Sequence, residues 1–370
     1  MLKLLKRVTS NNHYISYIDG LRFISIFSVI CFHFFDYYRD RVVTDLSVEK
    51  QTEIQTYTTS GFSGVMLFFG ISGFVLAMPF IKQYLYNGNK VSIKQYLLKR
   101  LTRLEPPYII VLTGLFILSL IVGTKGGFQE LLPHYLASLF YSHNIIYGGF
   151  PVLSDVFWSL EIEVQFYLLA PILTFFLFKL NKKVRWVIFS VIILFYTEYI
   201  RRFIDPFSFK WIIKFIEYFI AGIFAAELYF EFKDKVSPHY IFDILCFYIL
   251  CSFWFKFYDF IPLSLKVFIL IAAGSFTMYF KKILSYKYIP IIGGMCYTIY
   301  MIHQRLLYFV MGFLKQNLYF DNITLDVILR VIIYCLALVV VCLPFYLLVE
   351  RPTMKKDWWK IRSFKKLFLE

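Results

Sequence analysis

The sequence predicts an all-α, polytopic membrane helical bundle, with about ten transmembrane helices and one outer re-entrant or interfacial segment. Three observations lead there. Of 370 residues, 59% are hydrophobic and only 17% charged, against about 45–50% and 25% in soluble domains. The apolar residues recur in runs of about 20, the length an α-helix needs to cross a bilayer. The charge, in turn, is distributed by side of the membrane. A net charge of +15 would suggest nucleic acid in a soluble protein, but no long polar domain exists to carry a groove. The six cysteines lie in or beside apolar runs, without CxxC or metal-ligand spacing. They read as small core residues, and no metal is expected.

Lys3, Lys6 and Arg7 precede the first apolar run and give it a signal-like look. That run contains Asp19, Arg22 and His33 and lacks a small-x-small cleavage site, so it is expected to stay as the first span. In order, the expected spans are 14–37, 61–81, 106–123, 157–178, 186–200, 211–230, 240–258, 261–280, 289–314 and 326–349. A further stretch, Leu131 to Tyr147, is interrupted by His134, Tyr135, Ser142, His143 and Asn144. Charge decides its role. If it does not span and the N-terminus is cytoplasmic, 25 Lys and Arg fall on the cytoplasmic side and 9 on the other. If it spans, every later loop changes sides and most of that bias vanishes. The positive-inside rule therefore keeps it on the outer side, with both termini, 1–13 and the basic tail 351–370, in the cytoplasm. No linker or internal repeat divides the chain, so 1–370 reads as a single membrane domain.

Ionisable side chains within a span cost at least about 2.5–3.5 kcal/mol at its centre, so each needs a partner or a task. In the first span, Arg22 and His33 are 11 residues apart, which returns them to one helix face about 16 Å apart along the axis. Asp19, three residues before Arg22, can reach it. A structural reading has Arg22 snorkelling with Asp19 as counter-ion and His33 at the outer headgroups; a functional one has a polar path through the membrane. In the second span, FFGISGF offers Gly70 and Gly73 for close helix packing and Ser72 as a polar lining residue. Arg100 and Arg103 in LLKRLTRLEPPY lie one turn apart at the cytoplasmic face. They suit either phosphate oxygens or acidic lipid headgroups.

The fourth span opens with FWSLEIEVQFYLLAP. Glu161 and Glu163 are two residues apart and diverge by about 200° on a helix, so they cannot serve one site. Glu163 shares a stripe with Tyr167, and Glu161 is in register with Gln165. Tyr297, Tyr300 and His303 line a stripe of the ninth span, where a satisfied buried histidine is the plain alternative for His303. Glu350–Arg351–Pro352 ends the last span. His143 and Asn144, in the outer segment, suit a hydroxyl-rich ligand or a turn cap.

Six motifs in this order, DGLR with the Arg22-to-His33 spacing, FFGISGF, RxxR before Pro106–Pro107, WSLEIEVQFYLLAP, YTIYMIH and VERP, resemble the acyltransferase 3 family. Its integral-membrane members O-acylate, mostly O-acetylate, extracytoplasmic glycans. The family's fourth-span motif often reads WSLSVEEQFYL. Glu163 matches its first glutamate, Val164 stands at the second, and Glu161 replaces a serine, so Glu163 is the glutamate carried over. The SGNH-type domain of some relatives and the large N-terminal region of animal ones are not seen, which leads one to expect a stand-alone bacterial enzyme of the cytoplasmic (inner) membrane. The resemblance implies acetyl-coenzyme A as cytoplasmic donor and a sugar hydroxyl of a surface polysaccharide, such as lipopolysaccharide, as acceptor. On that basis Arg100 and Arg103 would grip coenzyme A phosphates. His33, whose unperturbed pKa is about 6.5, would act as general base or transient acyl acceptor. Arg22 with Asp19 would stabilise charge, and Glu163 with Tyr167 would fix the imidazole. A transporter or flippase of an acylated or lipid-linked glycan would share the polar path but need no thioester ligand. A non-catalytic scaffold would need neither.

Overall fold

Helix is the only regular structure among the described residues of this computed structural model. These are Leu5, Arg7, Val8 and residues 14–42, 61–123, 126–203, 212–254, 261–314, 319–320 and 322–355. Most of the two expected tails therefore lies outside them. Helix α1 spans Ser16–Arg41, α2 Phe62–Leu85 and α3 Ile93–Val122. Two short helices follow, α4 (Phe128–Leu139) and α5 (His143–Tyr147). Then come α6 (Phe157–Lys179), α7 (Lys182–Phe203), α8 (Ile216–Phe232), α9 (Tyr240–Trp254) and α10 (Leu263–Gly274). The chain continues through α11 (Phe280–Leu284), α12 (Ile289–Gly294), α13 (Cys296–Gly312) and α14 (Ile323–Phe345). A π-turn over Tyr346–Glu350 and the short α15, Arg351–Thr353, extend α14.

The chain is a polytopic membrane helical bundle, and among the described residues two of the ten expected spans are broken. Five helices among the described residues are long and apolar enough to cross: α1, α2, α3, α6 and the run from α14 through α15. The expected span 289–314 divides at Met295 into α12 and α13, and 261–280 divides after Gly274 into α10 and the start of α11. At about 1.5 Å per residue, the 12-residue α10 falls short of a hydrocarbon core of about 30 Å; residues 255–258 of the expected span 240–258 lie outside the described residues. Hydropathy measures apolar content, not helix continuity, so these breaks could not be read from it. The 131–147 stretch is a helical corner: α4 and α5 meet at Tyr141, whose φ is +53°. Neither helix is long enough to cross.

The bundle is organised around α2, which among the described helices packs most extensively against α8. The crossing works because a Cβ at Gly222 would collide with the Gly70 carbonyl, and one at Gly73 with the Phe219 carbonyl. Small residues let backbones approach where no hydrophobic effect drives helices together in lipid. Phe219 fills the space beside the crossing, with its ring centroid 3.9 Å from Phe166 of α6 and 4.8 Å from Phe69 of α2. Buried charges are paired at the edges of this core. Arg185 holds Glu227 through Nε (2.8 Å) and Nη2 (2.6 Å), joining α7 to α8. Asp326 accepts from Arg330 Nε (2.7 Å) and from Tyr38 on α1 (3.1 Å).

Candidate active site

Helix α3 begins thirteen residues before Pro106 and runs through both prolines, although the expected span began at them. A proline has no N–H for the carbonyl four residues back, so Pro107 leaves the Arg103 carbonyl without a helical donor. Thr353 Oγ1 donates to that oxygen at 3.0 Å. Next to it, Glu350 Oε2 accepts from the Thr298 N–H (3.1 Å) and Oγ1 (2.6 Å). The VERP segment thus ties the start of α13 to the arginine-bearing turn of α3. Tyr297 of α13 completes the joint by donating its hydroxyl proton to the Leu104 carbonyl at 3.0 Å. Arg100 and Arg103 are fixed by this joint and point into a cavity.

That cavity is lined by Arg22 of α1, Ser72 of α2, Arg100 and Arg103 of α3, Glu163 and Tyr167 of α6, and Tyr297 of α13. These seven residues, all singled out from the sequence, therefore meet, although up to 275 positions separate them in the chain. Ser72 Oγ donates to Glu163 Oε1 at 2.6 Å. The two readings of FFGISGF both apply: its glycines pack on α8 while Ser72 turns to the cavity. Asp19 lies behind the lining, 1% exposed, and accepts from Arg22 and, at 3.1 Å, from Arg7.

Arg7 also lines the cavity, and sequence reading missed it. Among Lys3, Lys6 and Arg7 it looked like an inside anchor, and nothing local distinguishes it. Only the fold brings it back against Asp19. Burial first, then the nearby Arg103 and Arg22, lower the Arg7 guanidinium from its ordinary range to about 9. Four guanidiniums and one lining carboxylate, Glu163, face this space. The buried Nε–H donors of Arg7, Arg100 and Arg103 have no hydrogen-bond partner among the described residues. Fixed, unsaturated cationic donors of this kind suit phosphate or developing oxyanion charge. Ser159, Tyr300 and Cys296 complete the polar lining; Ser159 and Tyr300 share a 2.5 Å hydroxyl–hydroxyl bond.

His33 and His303 lie apart from this lining. Their rings pack against one another at 5.1 Å between centroids, and His303 is 5.6 Å from Tyr300, which reaches back to the cavity. The carboxylate of Glu163 is engaged by Ser72, and the ring beside His33 is His303, so the structure does not bring the expected Glu163–His33 contact together. His143 and Asn144 are each 1% exposed and face inward. The Asn144 N–H donates to Glu161 Oε2 (2.8 Å), its Nδ2 to the Trp158 carbonyl (3.3 Å), and His143 Nε2 lies 2.9 Å from His134 Nδ1. Glu161 therefore fastens α5 to α6, on the opposite side of the helix from Glu163, and Gln165 Oε1 accepts from Ile212 N–H instead (3.1 Å). Among the described residues, no cluster of three or more His, Cys, Asp or Glu could hold a metal.

The comparisons with known proteins point to the same family. The acyltransferase domain model of the acyltransferase 3 family matches residues 15–347. A Staphylococcus aureus (strain COL) protein named as an O-acetyltransferase is 26% identical over 364 residues, covering 87% of this chain and 56% of that protein. The peptidoglycan O-acetyltransferase OatA of Listeria monocytogenes is 29% identical over 178 residues, 45% of this chain and 25% of its own length. The O-acetyltransferase OatA of S. aureus (strain NCTC 8325) is 28% identical over 173 residues, 44% and 25% respectively. The chain thus spans about half the length of the first of these relatives. No solved structure matches it. With a family model covering nearly the whole chain and the motif residues gathered around one cationic cavity, this protein belongs to the acyltransferase 3 family of membrane acyltransferases.

Proposed function

We propose that the chain transfers an acetyl group from cytoplasmic acetyl-coenzyme A to a sugar hydroxyl of an extracytoplasmic glycan, from a bacterial cytoplasmic membrane with both termini inside. The observation that carries this reading is the cavity in which Arg7, Arg22, Arg100 and Arg103 face Glu163, with buried guanidinium donors left unsatisfied. Coenzyme A brings phosphates that those donors fit, and its thioester carbonyl becomes an oxyanion when a hydroxyl attacks. In this reading Arg100, Arg103 and Arg7 hold the phosphates. Arg22, kept in place by Asp19 and about 16 Å along α1 from His33, orients the donor so that its thioester arm reaches towards His33. Ser72 and Tyr167 keep Glu163 in position.

His33 takes the proton from the attacking hydroxyl. The hydroxyl oxygen then bonds to the thioester carbon, the carbon–sulfur bond breaks, and coenzyme A leaves as the thiolate, which collects a proton. General-base help of this kind is worth about 10²–10⁴-fold. His143 and Asn144 shape the outer end by bracing α5, and the whole domain acts as one unit in the bilayer.

The relatives named as O-acetyltransferases favour acetyl over longer chains, and peptidoglycan is the first acceptor to try. The test is mass spectrometry of surface glycans from cells carrying the chain or its His33→Ala form at equal membrane abundance. The wild type should add base-labile acetyl esters that the variant lacks. Equal esterification in both would sink the role given to His33.

A further inference from the structure

Of the buried polar groups outside the cavity, His303 is the one whose geometry dictates its chemistry. It is 0% exposed. Its Nδ1 lies 2.8 Å from the Tyr300 carbonyl and 3.2 Å from the Ile299 carbonyl. Both neighbours are acceptors, so Nδ1 must carry the hydrogen. The neutral ring then presents a bare lone pair at Nε2, and that buried atom has no hydrogen-bond partner among the described residues. Leaving a buried acceptor unmatched costs about 1–3 kcal/mol, so a merely structural histidine would be expected to spend both nitrogens. The backbone beneath it is locked as well: Tyr334 donates to the His303 carbonyl at 2.9 Å. The ring packed against it is that of His33, at 5.1 Å between centroids and 49° between planes.

We propose that His303 is the positioning residue for His33: the two rings pack without a hydrogen bond in this structure, and with substrate in place the bare Nε2 lone pair accepts the N–H of His33 and leaves the other His33 nitrogen free to take the acceptor hydroxyl's proton. The proposal rests on the reading of His33 as general base. It gives His33 the one tautomer useful to a base, a task that a third residue performs in hydrolytic triads. A neutral acceptor does this in a membrane interior without burying a second charge, which would be costly there.

The test compares His303→Leu, His303→Gln and His33→Ala in detergent-purified protein, with radiolabelled acetyl-coenzyme A as donor and a peptidoglycan-derived disaccharide as acceptor. His303→Leu removes the acceptor. It should lower kcat by about 10²-fold, within the range of base catalysis, with the KM for acetyl-coenzyme A unchanged. His303→Gln can place an amide oxygen near the Nε2 position and should recover at least a tenth of the wild-type kcat. Combined with His33→Ala, His303→Leu should cost nothing further, because residues that act as a unit are not additive. Wild-type kcat in His303→Leu, or a loss shared between kcat and KM that Gln does not rescue, overturns the proposal while leaving His33 as base. Wild-type kcat in His33→Ala overturns the base reading itself.

Discussion

Asp19 offers the sharpest test of how the cationic cavity is held. It is 1% exposed and accepts from both Arg22 and Arg7, whose side chains are each 14% exposed. Asp19→Asn keeps the shape and removes the charge. Two charge-assisted hydrogen bonds at about 1.5–3 kcal/mol each are weakened. Two buried guanidiniums also lose their counter-ion, which typically costs about 3–5 kcal/mol. The two estimates overlap, so a destabilisation near 4 kcal/mol is expected. What remains is uncompensated positive charge in a cavity already lined by Arg100 and Arg103, so a phosphate-bearing ligand should recover part of the loss. Ligand at about 100 times its Kd stabilises by about 2.7 kcal/mol, and the variant should gain more from coenzyme A than the wild type at equal concentration. The assay is thermal unfolding of the detergent-solubilised protein at low salt, with and without coenzyme A. A variant that melts with the wild type, or that coenzyme A stabilises less, would refute the argument that Asp19 balances the cavity's charge.

The double variant Arg100→Ala/Arg103→Ala should lower coenzyme A affinity by at least about 100-fold, taking about 1.5 kcal/mol for each lost charge-assisted bond. It should also flatten the salt dependence of binding measured by calorimetry. Gly222→Ala should destabilise the bundle by about 1–3 kcal/mol through overpacking against the Gly70 carbonyl. Gly114→Ala, where a Cβ meets nothing within 4 Å, should raise the melting temperature slightly by helix propensity. At the α4–α5 corner, burial and then His134 lower His143 from 6.5 to about 4. The unfolded corner therefore binds the proton first. Its contribution to stability is complete above about pH 6.5 and is lost as pH falls towards 4. Hydrogen exchange in 128–147, corrected for intrinsic rates, should accelerate relative to α2 between pH 7 and 5; an unchanged ratio would contradict this.

Composition alone sufficed for the class, because lipid tolerates few charges and 59% hydrophobic residues leave little else. Helical periodicity was enough to separate Glu161 from Glu163, and they do serve different joints. It was also enough to put Arg22 and the Arg100/Arg103 pair among the candidates, while Ser72 came from its place between the packing glycines of FFGISGF. Long-range placement was not legible. Arg7 looked like any cytoplasmic anchor until the chain before α1 folded back on Asp19. The partner of His33 could not be read from α1, since His303 reaches it from α13. His143 and Asn144 suited a hydroxyl-rich ligand or a turn cap, because a sequence carries no sign that His143 Nε2 meets His134 and that the Asn144 N–H groups go to Glu161 and Trp158. The breaks at Met295 and after Gly274 were hidden for the opposite reason, as continuous hydrophobicity masks a broken helix.

The central claim is that acetyl groups pass from a cytoplasmic donor to an acceptor on the other side. Inside-out membrane vesicles loaded with peptidoglycan-derived oligosaccharide, and given radiolabelled acetyl-coenzyme A outside, measure that directly. The account predicts base-labile label on the enclosed oligosaccharide in vesicles bearing the wild-type chain, and none above background with His33→Ala or Arg100→Ala/Arg103→Ala. Label that appears equally with all three proteins, or no label with the wild type while it binds acetyl-coenzyme A, would contradict it.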